Sequence, residues 1–421
     1  MKSIVKHTLS WFLIFLLTAT DAFAQAEPQN PVDTYLKIAA ENNPELKSIF
    51  NQYLATLERM PQARSLPDPT VMFNIFASPV ETRVGAQNAG ISISQAFPWF
   101  GQLRSQEQAV ALLAKARFEA FEDAKNRLFF DVRSEYFNLY VLEAAITITE
   151  ENIVLLESFR ELANVRLESN KGSAVDLLRV EMDLEELNNQ LLYLQDTRVP
   201  IQAKFNELLN TETLDIVIPD TLATLAFQES KNVLLDSIVA QNPILKGYDY
   251  QLSSLDSEID VAQKMGLPSF NLGFSYTNIS ERSGVDIPDN GKDALIFPQV
   301  GVRIPLYRKK YQSMVKEKEL LKTSVNYKKE DKENELETAL EASWRDYSDA
   351  VRRVGLYQRL IQYATQSLDI LVAQYTTAGS QFEEVLRMER QLLRYELELE
   401  KARADQNTFV AYINYLTGKQ L

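Results

Sequence analysis

The chain has 421 residues, 45% of them hydrophobic and 24% charged, with a formal net charge of −14. That charge argues against a nucleic-acid partner, and thirteen glycines are few for a fold made of many tight turns. There is no cysteine, and the one histidine is His7, so beyond the N-terminus the commonest metal ligands and many nucleophile–base pairs are missing; no catalytic, metal or cofactor residue is assigned.

In chain order, Lys2 and Lys6 precede an apolar run (9–19) and the small-x-small site Ala22-Phe23-Ala24. This reads as a secretory signal over residues 1–24, cleaved before Gln25, and without a cysteine no lipid anchor is expected. No later run of about 18 apolar residues exists, so entry into a membrane would have to use β-strands. Residues 31–64 are helical in pattern, with a break at Asn43-Pro44. Residues 71–77 read as a strand, 78–87 as a polar loop containing Pro79 and Gly85, and 91–97 as a second strand with Ile91, Ile93 and Phe97 on one face. Residues 102–171 then run for seventy positions with neither glycine nor proline, a helical rod of ~105 Å if unbroken. After Gly172 a returning helix carries a heptad seam of Leu177, Val180, Leu184, Leu187, Leu191 and Leu194. Arg198 interrupts it before Ile201, Phe205 and Leu208.

The order repeats. Asn242-Pro243 answers Asn43-Pro44. Phe270, Leu272, Phe274 and Tyr276 alternate with polar partners, a loop covers 278–294, and Val300, Val302 and Ile304 alternate in a fourth strand. A second long helix reaches about residue 377, and Gly379 marks its turn. Shifting the first seam by 208 positions lands on apolar residues from Val385 to Leu416 with one polar exception, Gln406, at the position of Arg198. The unit is thus helix–strand–loop–strand–long helix–turn–long helix used twice, over 25–224 and 225–421. The charged run 316–337 is expected to form i,i+4 pairs along its own helix.

Two isolated hairpins make a poor sheet and leave edges that lipid does not tolerate. Four strands are too few to close a barrel, whereas three chains would supply twelve. The expected lipid face comprises Phe73, Ile91, Ile93, Phe270, Leu272, Phe274, Val300 and Val302. Ser92, Ser94, Asn271, Ser275, Gln299 and Arg303 would face the lumen. Trp99, Phe100 and Tyr307 are placed at the membrane interface. The overall expectation is a mainly α fold of long coiled-coil hairpins with a small β part.

The strand end SISQAFPWFGQ (92–102) and the turn motifs GSAVDLLRVE (172–181) and GSQFEEVLRME (379–389) resemble the TolC family of outer-membrane efflux proteins, the PWFG version most closely its metal-efflux-type members. The resemblance covers essentially the whole chain after the signal. It implies a homotrimer with a twelve-stranded barrel in outer-membrane lipid and helices in the periplasm. It also implies docking to a periplasmic adaptor (membrane fusion protein) and an inner-membrane pump of the RND type, in a passive duct that is not an enzyme. It places a periplasmic gate at Tyr375, Glu384 and Arg387, with Asp176 as the first-repeat counterpart of Glu384. The hairpin turns at Gly172, Ser173, Leu178, Gly379, Ser380 and Leu386 would meet the adaptor. Gly172 and Gly379 are expected to supply positive φ. Arg387 has the alternative of a neutral pair with Glu384 across the trimer interface. The competing reading is a periplasmic coiled-coil scaffold that never enters the membrane.

Overall fold

A computed structural model describes residues 31–212, 214–378 and 381–419; the signal segment and the turn residues Gly379 and Ser380 lie outside the described residues. In chain order the elements are α1 (Pro31–Asn42), α2 (Pro44–Leu57), α3 (Arg59–Arg64), β1 (Thr70–Thr82), β2 (Gly85–Phe97), α4 (Gln102–Glu168) and α5 (Ala174–Leu209). They are followed by α6 (Lys231–Gln241), α7 (Pro243–Met265), β3 (Ser269–Ser280), β4 (Ala294–Arg303), α8 (Arg308–Ala378) and α9 (Phe382–Thr417). The helix–strand–strand–long helix–helix order occurs twice. At 67 and 71 residues, α4 and α8 are each about 100 Å long.

The repeated Asn-Pro marks a helix start in both places. The Asn43 side chain accepts from Leu46 N at 3.0 Å, and that of Asn242 from Ile244 N at 2.9 Å. Each proline follows at the first helical position, where its missing N–H costs nothing.

Contacts divide the chain into two compact units, Met1–Asn42 with Val132–Leu222, and Asn43–Asp131 with Ala223–Leu421; α4 contributes residues to both. In the first unit, the buried Phe205 of α5 sits edge-on to Tyr35 of α1, ring centres 5.3 Å apart, and 6.5 Å from Tyr136 of α4. Burial pushes the Tyr136 hydroxyl pKa up to about 12, and it donates to Val217 O at 2.9 Å. Arg198, the polar interruption of the seam, reaches across to Glu143 of α4 with two bonds of 2.7 and 2.6 Å.

The second unit has its helical core where α6 and α7 meet α8 and α9, around Leu234, Ile238, Leu245, Leu340, Val410 and Ile413. Here the second polar interruption, Gln406, donates to Leu225 O at 2.6 Å. Its neighbour Asn407 accepts from Leu225 N and donates to Ala223 O, both at 2.8 Å. The two side chains strap the extended segment before α6 onto α9. The charged run of α8 differs from the sequence expectation. Lys318, Lys322 and Lys329 reach Glu258, Asp256 and Asp249 of α7 at 2.9, 2.5 and 2.6 Å, so three of its cations bridge neighbouring helices. Lys316–Glu319 and Lys332–Glu335 do stay on one helix, at i,i+3, and Lys329 also meets Glu333 at the expected i,i+4 spacing, 3.9 Å away.

Two predictions follow from this packing. Asn407→Ala strands one N–H and one C=O in a partly buried place and should cost about 1–3 kcal/mol per group, read by thermal or denaturant unfolding. Burial raises the Asp123 carboxyl above its ordinary range, against the Tyr415 hydroxyl 3.3 Å away and the cations Arg127 and Lys332. A raised folded value gives stability that is full below the ordinary carboxylate pKa and lost as pH rises through the raised one. Asp123→Asn should therefore flatten the fall in melting temperature as pH rises above the ordinary carboxylate range.

Candidate functional site: one sheet face and two hairpin tips

The two hairpins form one sheet, in the order β1-β2-β3-β4, antiparallel throughout. They are therefore not separate, as the sequence had suggested. The first loop is also much shorter than expected. β1 continues through Pro79 to Thr82, and only Arg83 and Val84 turn the chain before β2 begins at Gly85. Pro79 is accommodated because β1 is an edge strand whose register shifts between Ile75 and Val80. Gly85 has a φ of +129°, and a Cβ there would fall on Ser280 O.

The register collects the apolar residues on one face. Phe73 pairs with Ile91 and Ile91 with Tyr276; Val71 pairs with Ile93 and Ile93 with Phe274. Leu272 stands opposite Val300, and Phe270 between Phe97 and Val302. All eight residues expected to face lipid thus share a face, and Phe73 is 72% exposed on it. Gln95 is the polar member near the helix end, where its amide donates to Pro67 O at 2.7 Å. The opposite face carries Ser92, Ser94, Asn271, Ser275, Gln299 and Arg303, in register with Thr70, Ser269 and Gly273, and has two apolar members, Met72 opposite Ser92 and Ile296 opposite Ser275. Strands of 10 to 13 residues have the length a tilted span of a bilayer needs. β1 and β4 are the two edges, each paired on one side only among the described residues.

At the helix end of the sheet, Trp99 stacks on Phe270 with ring centres 6.1 Å apart, and Phe100 lies 6.1 Å from the same ring. Tyr307, just before α8, is exposed. At the other end, Asp293 gathers the loop stem. It accepts from the Tyr276 hydroxyl, from the Asn278 amide at 3.1 Å and from Ile279 N at 2.8 Å.

The hairpin tips differ from each other. In the first, α4 ends at Glu168, and the N–H groups of Lys171 and Gly172 both donate to Arg166 O, at 2.8 and 2.9 Å. The left-handed residue is Asn170, φ 57°, not Gly172 as expected. Gly172 is needed for space, since a Cβ would lie 3.0 Å from that of Arg166. Ser173 caps α5 by accepting from Val175 N at 3.1 Å, and Asp176 accepts from Ser173 N at 3.4 Å, which completes a capping box. Leu178 is 62% exposed, and Val175 and Met182 are exposed beside it at three- and four-residue spacing. The sequence reading missed these last two, though the spacing carries the signal.

The second tip is closed on itself. Tyr375 is 2% exposed and packs on Phe382 with ring centres 4.6 Å apart. Leu386 is 1% exposed, so unlike Leu178 it presents no side chain for docking. Glu384 and Arg387 form an ion pair within one helix. Ser380 and Gly379 lie outside the described residues.

No family model matches the chain. Among solved structures, it superposes on CusC, described in terms of folding and transmembrane channel formation, with a TM-score of 0.76 at 17% identity, covering 93% of this chain and 92% of that one. The outer-membrane channel OprN gives a TM-score of 0.75 at 15% identity, covering 93% and 90%. The fold is that of outer-membrane channels. The resemblance read from the PWFG strand end and the turn motifs holds at the level of this channel fold. A curated relative, "Toxin and drug export protein A" of Aggregatibacter actinomycetemcomitans, is 26% identical over 187 residues, which is 44% of this chain. The chain spans only 40% and 48% of the lengths of the curated relatives it matches.

The channel fold makes the two sheet faces unequal in a testable way. Val300→Lys, on the apolar face, should weaken folding into lipid vesicles by about 2–4 kcal/mol if it lies at mid-membrane. Gln299→Lys, one residue away on the polar face, should leave that folding unchanged. Gel-shift folding assays on the two variants would compare them directly.

Proposed function

We propose that this chain is one protomer of a passive exit duct in the outer membrane. Three copies supply twelve strands, and the helices extend into the periplasm. The observation that carries this reading is the sheet itself: one apolar face, one polar face and two open edges. In hydrocarbon every backbone N–H and C=O must be paired within protein, and closing β4 of one copy on β1 of the next satisfies both edges together. A periplasmic scaffold would leave the apolar face without a use.

The two sequence repeats, 25–224 and 225–421, each give two strands and one helical hairpin to this duct. Substrate arrives from an energised inner-membrane pump through a periplasmic adaptor. The exposed stripe Val175, Leu178 and Met182, beside the turn at Gly172 and Ser173, is the adaptor contact we favour. Glu384 and Arg387, exposed on the second hairpin, are the gate residues we favour, with Asp176 as their first-repeat counterpart; Tyr375 supports them from below by holding Phe382. The export protein among the relatives supports efflux as the task. The chain holds no His or Cys beyond His7, so any choice of substrate belongs to the pump rather than to this wall.

Mass measurement of the detergent-solubilised chain from an outer-membrane fraction should give a trimer; a water-soluble monomer in the periplasmic fraction would sink the proposal. In planar bilayers, Glu384→Ala should raise the conductance of the reconstituted trimer, because it takes a charged side chain off the tip of every protomer. Unchanged conductance would count against a gate at this position.

A further inference from the structure

The junction between β4 and α8 carries a feature that the first repeat lacks. From Asp293 to Glu317 the intervening 23 residues contain no acid and five cations, Arg303, Arg308, Lys309, Lys310 and Lys316, in a chain of net charge −14. The matching acid-free stretch of the first repeat, residues 82–106, has two, Arg83 and Arg104. Arg303 belongs to the polar sheet face, opposite Ser269; the other four begin α8.

Further along α8, Lys318, Lys322, Lys329 and Lys332 each meet a carboxylate. Arg308, Lys309 and Lys310 meet none among the described residues. Arg308 donates only to Gly266 O at 3.3 Å, and the Lys310 ammonium lies 5.7 Å from the Tyr311 ring. Next to them Leu306 is 77% and Tyr307 82% exposed, and Ile304 is exposed as well. Together they prolong the apolar sheet face past its end. Arg308, Gln312 and Lys316 line a cavity of about 400 Å³ with Gln263, Leu267 and Val315. Glu319, on its wall, holds Lys316 at 3.2 Å and leaves Arg308 as its uncommitted charge.

We infer that this junction binds the headgroup of an anionic phospholipid in the leaflet on the helix side of the sheet. The phosphate is held by Arg308, Lys309 and Lys310, and the acyl chains lie along Ile304, Leu306 and Tyr307. Unpaired cations beside exposed apolar side chains at the rim of a hydrocarbon-facing surface match a lipid in both charge and polarity. The inference rests on the membrane reading above.

The test uses the full chain in detergent, titrated with phosphatidylglycerol or with phosphatidylcholine while thermal unfolding is followed. Phosphatidylglycerol should raise the midpoint and phosphatidylcholine should not. Lys309→Gln with Lys310→Gln should weaken the phosphatidylglycerol response roughly 30-fold in concentration, with the midpoint in detergent alone unchanged. Lys322→Gln should keep the full response. An equal response to both lipids, or a full response in the double variant, would overturn the inference, as would inorganic phosphate acting as well as the lipid. A change in oligomer mass in the double variant would assign the patch to a subunit contact instead and overturn it too. Flotation with vesicles separates the two readings: a chain that floats but shows no lipid preference loses only this inference, and one that never floats loses the membrane reading with it.

Discussion

Backbone hydrogen bonding is the constraint on which the structure turns. Four strands in a line have two edges, and β1 and β4 each leave a row of amides and carbonyls without partners among the described residues. In water such edges are tolerable when guarded; in hydrocarbon each unmet group costs several kcal/mol. Everything else about the sheet is compatible with lipid: strand length, a continuous apolar face, and aromatic side chains at the helix end. Number and closure are then fixed together, since the smallest closed membrane barrels need more strands than one chain offers.

Much of this was legible in the residues. Alternation in 91–97 and 270–276 gave the face of each strand, because side-chain direction along a strand follows from spacing alone. It could not give the partner of each strand. Ile93 meets Phe274 across a long stretch of sequence, and nothing local in either strand specifies the other. Pro79 also misled, since a proline reads as a break unless the strand is known to be an edge with a register shift. The helical rods and seams were plain from the absence of glycine and proline and from heptad spacing. The charged run 316–337 was expected to pair along its own helix, and it does so at Lys316, Lys329 and Lys332. Which neighbour some of them would meet depended on α7 lying opposite, which the sequence of α8 does not record.

The hairpin tips show how far a repeat can be trusted. The motif that starts at Gly379 is one residue longer than that at Gly172, and from Asp176 and Glu384 onward the two run in step, yet Leu178 is exposed and Leu386 buried. The difference lies two residues before the aligned acidic positions, where the first repeat has Ala174 and the second Phe382. Phe382 has a ring to bury, and Tyr375 receives it. The seam interruptions diverge likewise. Arg198 and Gln406 occupy one register position, but the arginine spends its polarity on a neighbouring helix and the glutamine on an extended backbone segment. Shared register therefore preserves the packing geometry while leaving the chemistry at each polar position free to change.

The long loop between β3 and β4 is held at its base. Its stem is pinned by Asp293 on three groups of β3. Asn290 closes a smaller turn on Arg282 and Val285, and Gly291 N–H reaches Val84 O at 2.6 Å. Nothing lies within 4 Å of where a Cβ at Gly284 would stand. The crown of the loop is thus mechanically insulated from the ladder beneath it. Residues 283–288 could be rewritten or lengthened without disturbing a single strand register.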